Sequence, residues 1–298
     1  MKYGENITED DAMITGRTKV LGVIGSPISH SLSPIIQNAA LRGAGLDYVY
    51  AAFPVRADAL ASAVNGLRDA GVAGFNVTIP FKTEIMDLMD ALSEDAQRIR
   101  AVNTVVVDEN GRLVGHNTDV AGFLAGFAEH GINPAGRKAV LIGAGGAARA
   151  ALWGLLQSGI SSVRIGVRAP EKGAALCAEF AEEGDVRAHA FDEPDFTAAL
   201  ASADIVVQTT PMGMTPYTES MPPVDLSVLR APTLVYDLIY TPAETRFLRE
   251  AAVYGHETVN GEMMLAAQGA EAFFLWTGVR PDTALMRRVL RNELACRD

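Results

Sequence analysis

The segment KAVLIGAGGAARAALWGLLQSG, at residues 138–159, constrains the fold more than any other part of the sequence. Its first five residues are typical of a short buried strand, and a glycine-rich turn then opens an apolar helix. Gly143, Gly145 and Ala148 fit the pattern G-x-G-x-x-A. In this strand-turn-helix context the pattern predicts a dinucleotide site, because glycines let the backbone approach a pyrophosphate and the helix N-terminus attracts its charge.

The rest of the sequence predicts an α/β protein of two domains. Strands and helices alternate as β-α-β-α-β over roughly the first 80 residues, and a hairpin around 109–111 adds antiparallel strands. A helix at 120–130 leads into further β-α units. We predict a mixed-sheet α/β substrate domain at 17–118 and a doubly wound, Rossmann-type domain at 119–264. Helices within 265–298 are expected to pack back onto the first domain, with the active site in the cleft.

Composition and charge exclude several classes of protein. The balance of 25 basic to 36 acidic residues, a net charge of −11, argues against a nucleic-acid partner or an anionic membrane surface. Residues 1–16 read as a polar, frayed leader without a signal-peptide core, and no long apolar run predicts a membrane span, so we expect a cytoplasmic protein. Cys177 and Cys296 lie far apart and the histidines are unpaired, which predicts free thiols and no metal.

A polar segment, GFNVTIPFK, ends the third predicted strand at residues 74–82. Pro80 stops the strand because proline cannot donate to a ladder, so Lys82 lies just past the carboxyl end. Ligands bind at that end of an open α/β sheet. Lysine suits proton transfer with an alcohol or carbonyl, since its ammonium is a compact donor whose pKa falls on desolvation. For a lysine taken alone, the alternative is a solvated residue opening the predicted helix.

Other strand ends and turns of the first domain carry short hydrogen-bonding side chains and one anion: Ser31, Ser33, Thr78, Asn103 and Asp119. Together with Lys82 they suit a polyhydroxylated small molecule better than an apolar ligand. Local explanations are also open for three of them. Ser33 is predicted to N-cap the helix opened by Pro34, Asn103 could fix a turn, and Asp119 could N-cap the helix that follows it.

The end of the strand after the glycine-rich helix bears on which dinucleotide binds. In a site that binds NAD, an Asp or Glu at this strand end accepts hydrogen bonds from the ribose hydroxyls. Here residues 167–172 read VRAPEK, with no acid at the strand end and with Arg168 and Lys172 close by. Two cations suit a 2′-phosphate and favour NADP. Glu171 argues against NADP, and a basic turn into the next helix is the alternative.

Several short motifs follow one another between residue 18 and about residue 290. In chain order they are SHSLSP, NVTIPFK, AVNTV, HNTD, GAGGAARA, TTPMGM, DLIYTPAET and a late helix with Gln268. This order and spacing closely resemble the shikimate dehydrogenase family. The resemblance implies NADP-dependent interconversion of 3-dehydroshikimate and shikimate in aromatic amino-acid (chorismate) biosynthesis. It also implies a protein that occurs as a monomer or homodimer, without a metal.

The resemblance further implies roles for individual residues. Lys82 and Asp119 match the family's catalytic pair. The family's substrate contacts correspond to Ser31, Ser33, Thr78, Lys82, Asn103, Asp119, Tyr240 and Gln268. Its cofactor contacts correspond to Gly143, Ala144, Gly145, Gly146, Ala147, Arg168, Lys172, Thr209, Met212, Leu238 and Gly261.

The sequence departs from the family pattern at several positions. Gln37 stands where the family usually has histidine. Of the common Asn-Arg-Thr cofactor triplet only Arg168 remains, between Val167 and Ala169. Met263 stands where a glycine usually lies near the nicotinamide, so a side chain there must point away or reshape the pocket.

Two alternatives stay open from the sequence. One is a quinate/shikimate dehydrogenase of the same fold that uses NAD or NADP, because one or two pocket groups decide between such similar substrates. Ser33, rather than the threonine often found in quinate users, leans toward shikimate. The other is a non-catalytic sensor of cofactor or substrate, against which Lys82 and Asp119 argue.

Overall fold

The computed structural model describes residues 14–230 and 232–296. Most of the predicted leader therefore lies outside the described residues, as do the last two residues of the predicted C-terminal segment. The chain forms two six-stranded sheets with helices packed against them, which confirms the predicted two-domain α/β class. The predicted domain boundaries at 118/119 and 264/265 stay a prediction. Within the described ranges, no helix is long and apolar enough to cross a membrane.

The first sheet is mixed, with the strand order β2-β1-β3-β5-β6-β4. Its strands are β1 (Lys19–Gly25), β2 (Tyr48–Pro54), β3 (Gly74–Val77), β4 (Ala91–Leu92), β5 (Thr104–Val107) and β6 (Leu113–His116). Strands β1, β2 and β3 run parallel, as the β-α-β-α-β pattern predicts. Strand β5 pairs antiparallel with both β3 and β6, so the predicted hairpin is confirmed.

The helices of this domain correct two predictions. They are α1 (Ser33–Gly43), α2 (Leu60–Asp69) and α3 (Glu94–Ile99), with short 3₁₀ helices at Ala57–Ala59 and Glu84–Leu88. The helix predicted after Lys82 is this five-residue 3₁₀ helix, because the chain must return to pair as β4. The prediction that Ser33 caps α1 is wrong: Leu32 occupies the N-cap, and Ser33 is the first helical residue and lines a cavity.

The second sheet is parallel throughout, with the strand order β12-β11-β10-β7-β8-β9. Its strands are β7 (Lys138–Ile142), β8 (Ser162–Val167), β9 (Val186–Ala190), β10 (Ile205–Gln208), β11 (Leu234–Asp237) and β12 (Glu257–Val259). Its helices are α5 (Gly146–Gln157), α6 (Pro170–Glu179), α7 (Pro194–Ala201) and α8 (Arg246–Val253), with a 3₁₀ helix at Leu226–Val228. The strand order reverses at β7, so the glycine-rich turn after β7 lies at the topological switch point.

Two helices that pack on each other join the domains. They are α4 (Asp119–Glu129) and α9 (Glu262–Thr277), and α10 (Thr283–Ala295) ends the described chain. The close packing depends on Gly122, where a Cβ would lie 2.6 Å from the Met264 carbonyl oxygen. Phe273, Trp276 and Met286 then join the core of the first domain, so α9 and α10 pack against it.

The domains also meet behind α4, where α3 contacts the helices of the second sheet. Trp153 Nε1 donates to Asp95 at 2.9 Å, and an Arg98 N–H donates to the Glu179 carbonyl oxygen at 2.7 Å. Arg149 binds the Glu179 carboxylate through two nitrogens, at 2.6 and 2.7 Å, and this hydrogen bonding lowers the pKa of Glu179. These polar contacts fix the rear of the interdomain cleft.

Replacing Gly74 by alanine is expected to lower the free energy of unfolding by about 1–3 kcal/mol. A Cβ there would lie 2.3 Å from Trp276 Nε1 and 2.7 Å from the Val105 carbonyl oxygen, and Trp276 donates to that same oxygen at 2.9 Å. Gly66 in α2 is the matched control, since a Cβ there meets no atom within 4 Å. Gly66→Ala should stabilise by about 0.5–1 kcal/mol. Urea unfolding of both variants checks this; equal effects would contradict it.

Candidate active site

A cavity of about 200 Å³ lies between the two domains, where loops from both sheets and α9 converge. Its wall includes all eight residues predicted to contact substrate: Ser31, Ser33, Thr78, Lys82, Asn103, Asp119, Tyr240 and Gln268. Three of the predicted cofactor residues, Ala147, Leu238 and Gly261, share the wall. Residues as far apart in the sequence as Ser31 and Gln268 are thus brought to one space of small-molecule size.

Lys82 and Asp119 form an ion pair on this wall. Lys82 Nζ donates to Asp119 Oδ2, and the other Asp119 oxygen accepts a hydrogen bond from Asn103 Nδ2 at 2.8 Å. The two charged side chains are 19% and 7% exposed. The alternative in which Asp119 caps its helix is wrong, because Thr118 occupies the N-cap and the Asp119 carboxylate is used on Lys82 and Asn103. A partly buried lysine is therefore held in a fixed direction.

Asn103 fixes a turn, as one prediction for it states, and it also binds the catalytic-pair carboxylate. Its Oδ1 accepts the backbone N–H of Thr118 at 2.8 Å, which fixes the turn into α4, and its Nδ2 holds Asp119. Behind it, Asn76 Nδ2 donates to Thr104 Oγ1 at 3.0 Å and to the Asn103 carbonyl oxygen at 3.1 Å. This buried network orders the wall before any ligand binds.

The network continues to Tyr50 under the first sheet. The Tyr50 hydroxyl donates to Asn76 Oδ1 at 2.7 Å, and Asn38 binds both backbone groups of Tyr50, at 2.8 and 2.9 Å. Burial raises the pKa of Tyr50 well above its usual range, while the neighbouring Ser33 side chain acts in the opposite direction. Tyr50 thus stays a neutral donor beneath the helix start that carries Ser33.

Two polar residues of the cavity wall, Asn76 and His30, were not predicted from the sequence. Asn76 lies in β3, which is otherwise apolar and fully buried. A polar residue inside such a strand was the available signal. His30 stands inside the SHSLSP motif, between residues that were identified.

The glycine-rich turn leaves the start of α5 open toward the cavity. Gly143 has φ +111°, and a Cβ there would lie 2.7 Å from Thr209 Oγ1, so only glycine suits the turn. At Gly145, the N-cap of α5, a Cβ would meet no atom within 4 Å. A Cβ on Gly146 would lie 3.6 Å from Lys82 Cδ. The turn and the open helix N-terminus therefore fit a pyrophosphate beside Lys82.

The two predicted phosphate-binding cations lie along the surface beyond this turn. Arg168 directly follows β8, Lys172 lies in the first turns of α6, and both are exposed. Within residues 14–230 and 232–296, neither is in an ion pair, so both cations are available to an anion. Val167, in place of the family's asparagine, is buried in the core of the second sheet.

The remaining predicted cofactor residues lie around the same cleft. So do Gln37 and Met263, the two other positions at which the sequence departs from the family pattern. Thr209 donates to the Ile142 carbonyl oxygen at 2.7 Å, and Met212 follows in the next loop. Met263 is not among the residues of the cavity wall, where Met264 lies instead. Gln37 is buried and donates to the Gly269 carbonyl oxygen at 2.9 Å, which holds α1 against α9.

Among the described residues, no cluster of three or more His, Cys, Asp or Glu side chains could hold a metal ion. Cys177 and Cys296 are both free thiols, as predicted. The polar groups at the cavity wall are one ion pair, the His30 imidazole, several hydroxyl and amide groups, and the open helix N-terminus beside them.

Comparison with known families matches most of the chain. The family model described as "Shikimate dehydrogenase substrate binding domain" matches residues 23–105. The model "Shikimate / quinate 5-dehydrogenase" matches residues 127–221. The model "Shikimate 5'-dehydrogenase C-terminal domain" matches residues 261–291.

Individual relatives agree over nearly the full length. The shikimate dehydrogenase (NADP(+)) of Geobacter sulfurreducens is 46% identical over 284 residues, which is 94% of this chain and 98% of that protein. The crystal structure of the Thermus thermophilus enzyme in complex with NADP(H) and shikimate is 37% identical, with a TM-score of 0.83 over 92% of this chain and 99% of that one. The shikimate dehydrogenase of Aquifex aeolicus is 35% identical, with a TM-score of 0.86 over 94% of this chain and 100% of that one.

Proposed function

Because this chain belongs to the shikimate dehydrogenase family, we propose that it is an NADP-dependent oxidoreductase that interconverts 3-dehydroshikimate and shikimate. This places it in chorismate and aromatic amino-acid biosynthesis. The observation that carries the proposal is the Lys82–Asp119 pair on a cavity wall, directly beside the open N-terminus of α5. A proton donor and a dinucleotide turn then face the same small space.

Lys82 moves the proton of the reaction. In the reductive direction, its ammonium donates a proton to the ketone oxygen of 3-dehydroshikimate as hydride reaches the carbonyl carbon. In the oxidative direction, the amine takes the hydroxyl proton back as hydride leaves the same carbon. Asp119 accepts one N–H of Lys82 and so orients the others toward the substrate oxygen. When bound, NADPH would supply the hydride in the reductive direction and NADP⁺ would accept it in the oxidative direction.

The other polar residues of the wall bind the substrate ring and fix its orientation. Hydroxyls and amides can both donate and accept, which suits a substrate with several hydroxyls and a carboxylate. We assign this role to Ser31, Ser33, Thr78, Asn103, Tyr240 and Gln268. Because the Asn103 amide is committed to Asp119 and Thr118, it presents a fixed rather than an adaptable surface.

The cofactor is assigned to the carboxyl ends of the strands of the second sheet. The backbone of residues 143–147 and the N-terminus of α5 bind the pyrophosphate, and Arg168 with Lys172 binds the 2′-phosphate. Thr209, Met212, Leu238 and Gly261 follow the carboxyl ends of β10, β11 and β12 and complete the nicotinamide side. The open position at Gly145 supports this assignment, as do two cations that pair with no carboxylate among the described residues.

Replacing Arg168 by alanine is expected to raise KM for NADP roughly 10- to 100-fold, with KM for NAD nearly unchanged. The reason is the loss of a charge-assisted hydrogen bond to a 2′-phosphate, worth about 1.5–3 kcal/mol. Arg187→Ala is the matched control, since Arg187 is an exposed arginine in β9 that pairs with Asp185. Steady-state kinetics with both cofactors checks the prediction. An equal rise for NADP and NAD would contradict a role at the 2′-phosphate.

We also propose that the protein works in the cytoplasm, as a monomer or homodimer, on a small-molecule substrate and without a nucleic-acid or membrane partner. Its net charge of −11 supports the absence of polyanionic partners.

The experiment that tests the proposed function is an initial-rate comparison of shikimate and quinate, each with NADP and with NAD. We expect the highest kcat/KM with shikimate and NADP. A preference for quinate or NAD would assign the chain to the quinate/shikimate branch of the family. Binding without turnover of any pair would overturn the enzyme assignment and leave a sensor.

A further inference from the structure

Asp237, the last residue of β11, is a carboxylate buried completely in the second domain. One carboxylate oxygen accepts the backbone N–H of Ile239 at 3.0 Å, and the other accepts the hydroxyl of Thr245 at 2.7 Å. Burial raises its pKa to about 7, and no cation of the described chain offsets the cost. Burying a carboxylate without a cation costs free energy, and the two hydrogen bonds of Asp237 offset only part of that cost.

Those two hydrogen bonds hold both ends of the loop 238–245. Thr245 Oγ1 also accepts the backbone N–H of Leu248 and so caps α8, which fixes the far end of the loop. Between the two ends, Leu238 and Tyr240 reach the cavity wall. The Asp237 carboxylate itself is absent from that wall.

The loop is packed directly on Gly261, another residue of the wall. The Gly261 N–H donates to the Ile239 carbonyl oxygen at 2.9 Å. A Cβ on Gly261 would lie 2.0 Å from the Leu238 carbonyl oxygen. Tyr240 also packs against the cluster of Leu32 and Leu290 in the first domain. Small movements of the loop would therefore change the cavity at several points.

The neighbouring strand uses a buried side chain in the same way. Gln208, the register partner of Asp237 in β10, donates to the carbonyl oxygens of Thr210 and Met212 at 2.9 and 3.0 Å. The loops after β10 and β11 are then joined by the bond from the Thr215 N–H to the Thr241 carbonyl oxygen, at 3.0 Å. The nicotinamide side of the cavity is thus fixed from beneath the strand ends.

Resting on the proposed function, we propose that Asp237 is a positioning residue: its carboxylate fixes the loop 238–245 and so places Leu238 and Tyr240 for the reaction. It acts through the Ile239 amide and the Thr245 hydroxyl and touches neither substrate nor cofactor. An asparagine can reproduce both contacts, because its oxygen accepts from Ile239 and its amide donates to Thr245 Oγ1. An alanine can make neither.

The test compares Asp237→Ala with Asp237→Asn, and Thr245→Val with Thr245→Ser, in the full chain. We expect Asp237→Ala and Thr245→Val to raise hydrogen exchange at least about 10-fold in the loop 238–245, while strands β7 and β8 stay protected. We expect kcat/KM with shikimate and NADP to fall roughly 10- to 100-fold, mostly in kcat, since misplaced wall residues impair orientation. The conservative variants should stay within about 3-fold of wild type.

Asp225→Ala is the matched control, because Asp225 caps the 3₁₀ helix Leu226–Val228 in the same way but lies on the surface. It should leave kinetics and loop exchange unchanged. Wild-type loop exchange in Asp237→Ala, or a rise spread equally over the whole second sheet, would overturn the proposal. Hydrogen exchange is measured without ligand and therefore tests the positioning of the loop whatever the protein's substrate is. A wild-type protein that does not oxidise shikimate would refute the proposed function alone.

Discussion

Replacing Lys82 by alanine is expected to lower kcat with shikimate and NADP roughly 10²- to 10⁴-fold, the range found when a general acid–base is removed. The KM values for shikimate and NADP should change by no more than about 3-fold, because the other wall residues still hold the ring. Asp119 orients the Lys82 ammonium at the cavity wall, and the methylene groups of Lys82 lie beside the start of α5. Initial rates of NADPH formation measure the effect.

Two companion variants make this result specific. Lys138→Ala removes an exposed lysine at the start of β7 and should leave both constants unchanged. Asp119→Asn keeps an acceptor for Lys82 but removes the charge, so we expect a loss in kcat that is smaller than that of Lys82→Ala. A Lys82→Ala protein that keeps wild-type kcat, or that loses activity only through KM, would show that Lys82 binds substrate without moving its proton.

The second large effect is on stability, at Asp237. The free energy of unfolding of Asp237→Asn, relative to wild type, is expected to rise from near zero below pH 4 to on the order of 4 kcal/mol above pH 8. In the folded wild type the Asp237 pKa is about 7, against 3.8 for a free aspartate. Each pKa unit of difference corresponds to about 1.4 kcal/mol.

The direction of this pH dependence follows from the protons that Asp237 binds in the folded and unfolded states. Below pH 3.8 the carboxyl is protonated both folded and unfolded, so pH has no effect through this group. As pH rises from there to about 7, only the unfolded state releases its proton, and wild-type stability falls. Above that range both states are ionised and the loss is complete. Asparagine does not ionise, so the variant escapes the loss.

Urea unfolding from pH 4 to 8 measures this difference, since other titrating groups contribute equally to both proteins. Asp225→Asn, at an exposed aspartate, serves as the control for a change of the same chemical kind. A difference that is independent of pH would contradict the buried, unpaired carboxylate. So would a variant that is less stable than wild type at every pH.

Local signals made much of the fold predictable. The strand before the glycine-rich turn, Lys138–Ile142, has the predicted bounds, because its apolar run is continuous and the glycine-rich turn marks its end. Strands Ala91–Leu92 and Glu257–Val259 were not predicted. Segments of two and three residues carry no period, and only pairing with a neighbouring strand makes them strands.

The site was predictable where polar residues follow strand ends. Lys82 and Asp119 meet because parallel strands bring their carboxyl ends to one edge, and the family resemblance named the pair. The resemblance placed Gln268 of α9 at the cavity, but the other α9 residues of the wall were not predictable. Met264 lines the wall rather than Met263, since packing of α9 against Gly122 sets the rotation of the helix. Asp237 was missed because its partners are a backbone amide and a hydroxyl eight residues away, which no short pattern signals.

The most direct test of the central claim follows the hydride itself. The protein is incubated with NADP and with shikimate that carries deuterium on the carbinol carbon that becomes the ketone, and the reduced cofactor is examined by mass spectrometry. We expect wild type to form NADPH that contains the deuterium, and Lys82→Ala to form it far more slowly. Reduced cofactor without deuterium, or no reduced cofactor from the wild-type protein, would contradict hydride transfer in this cleft.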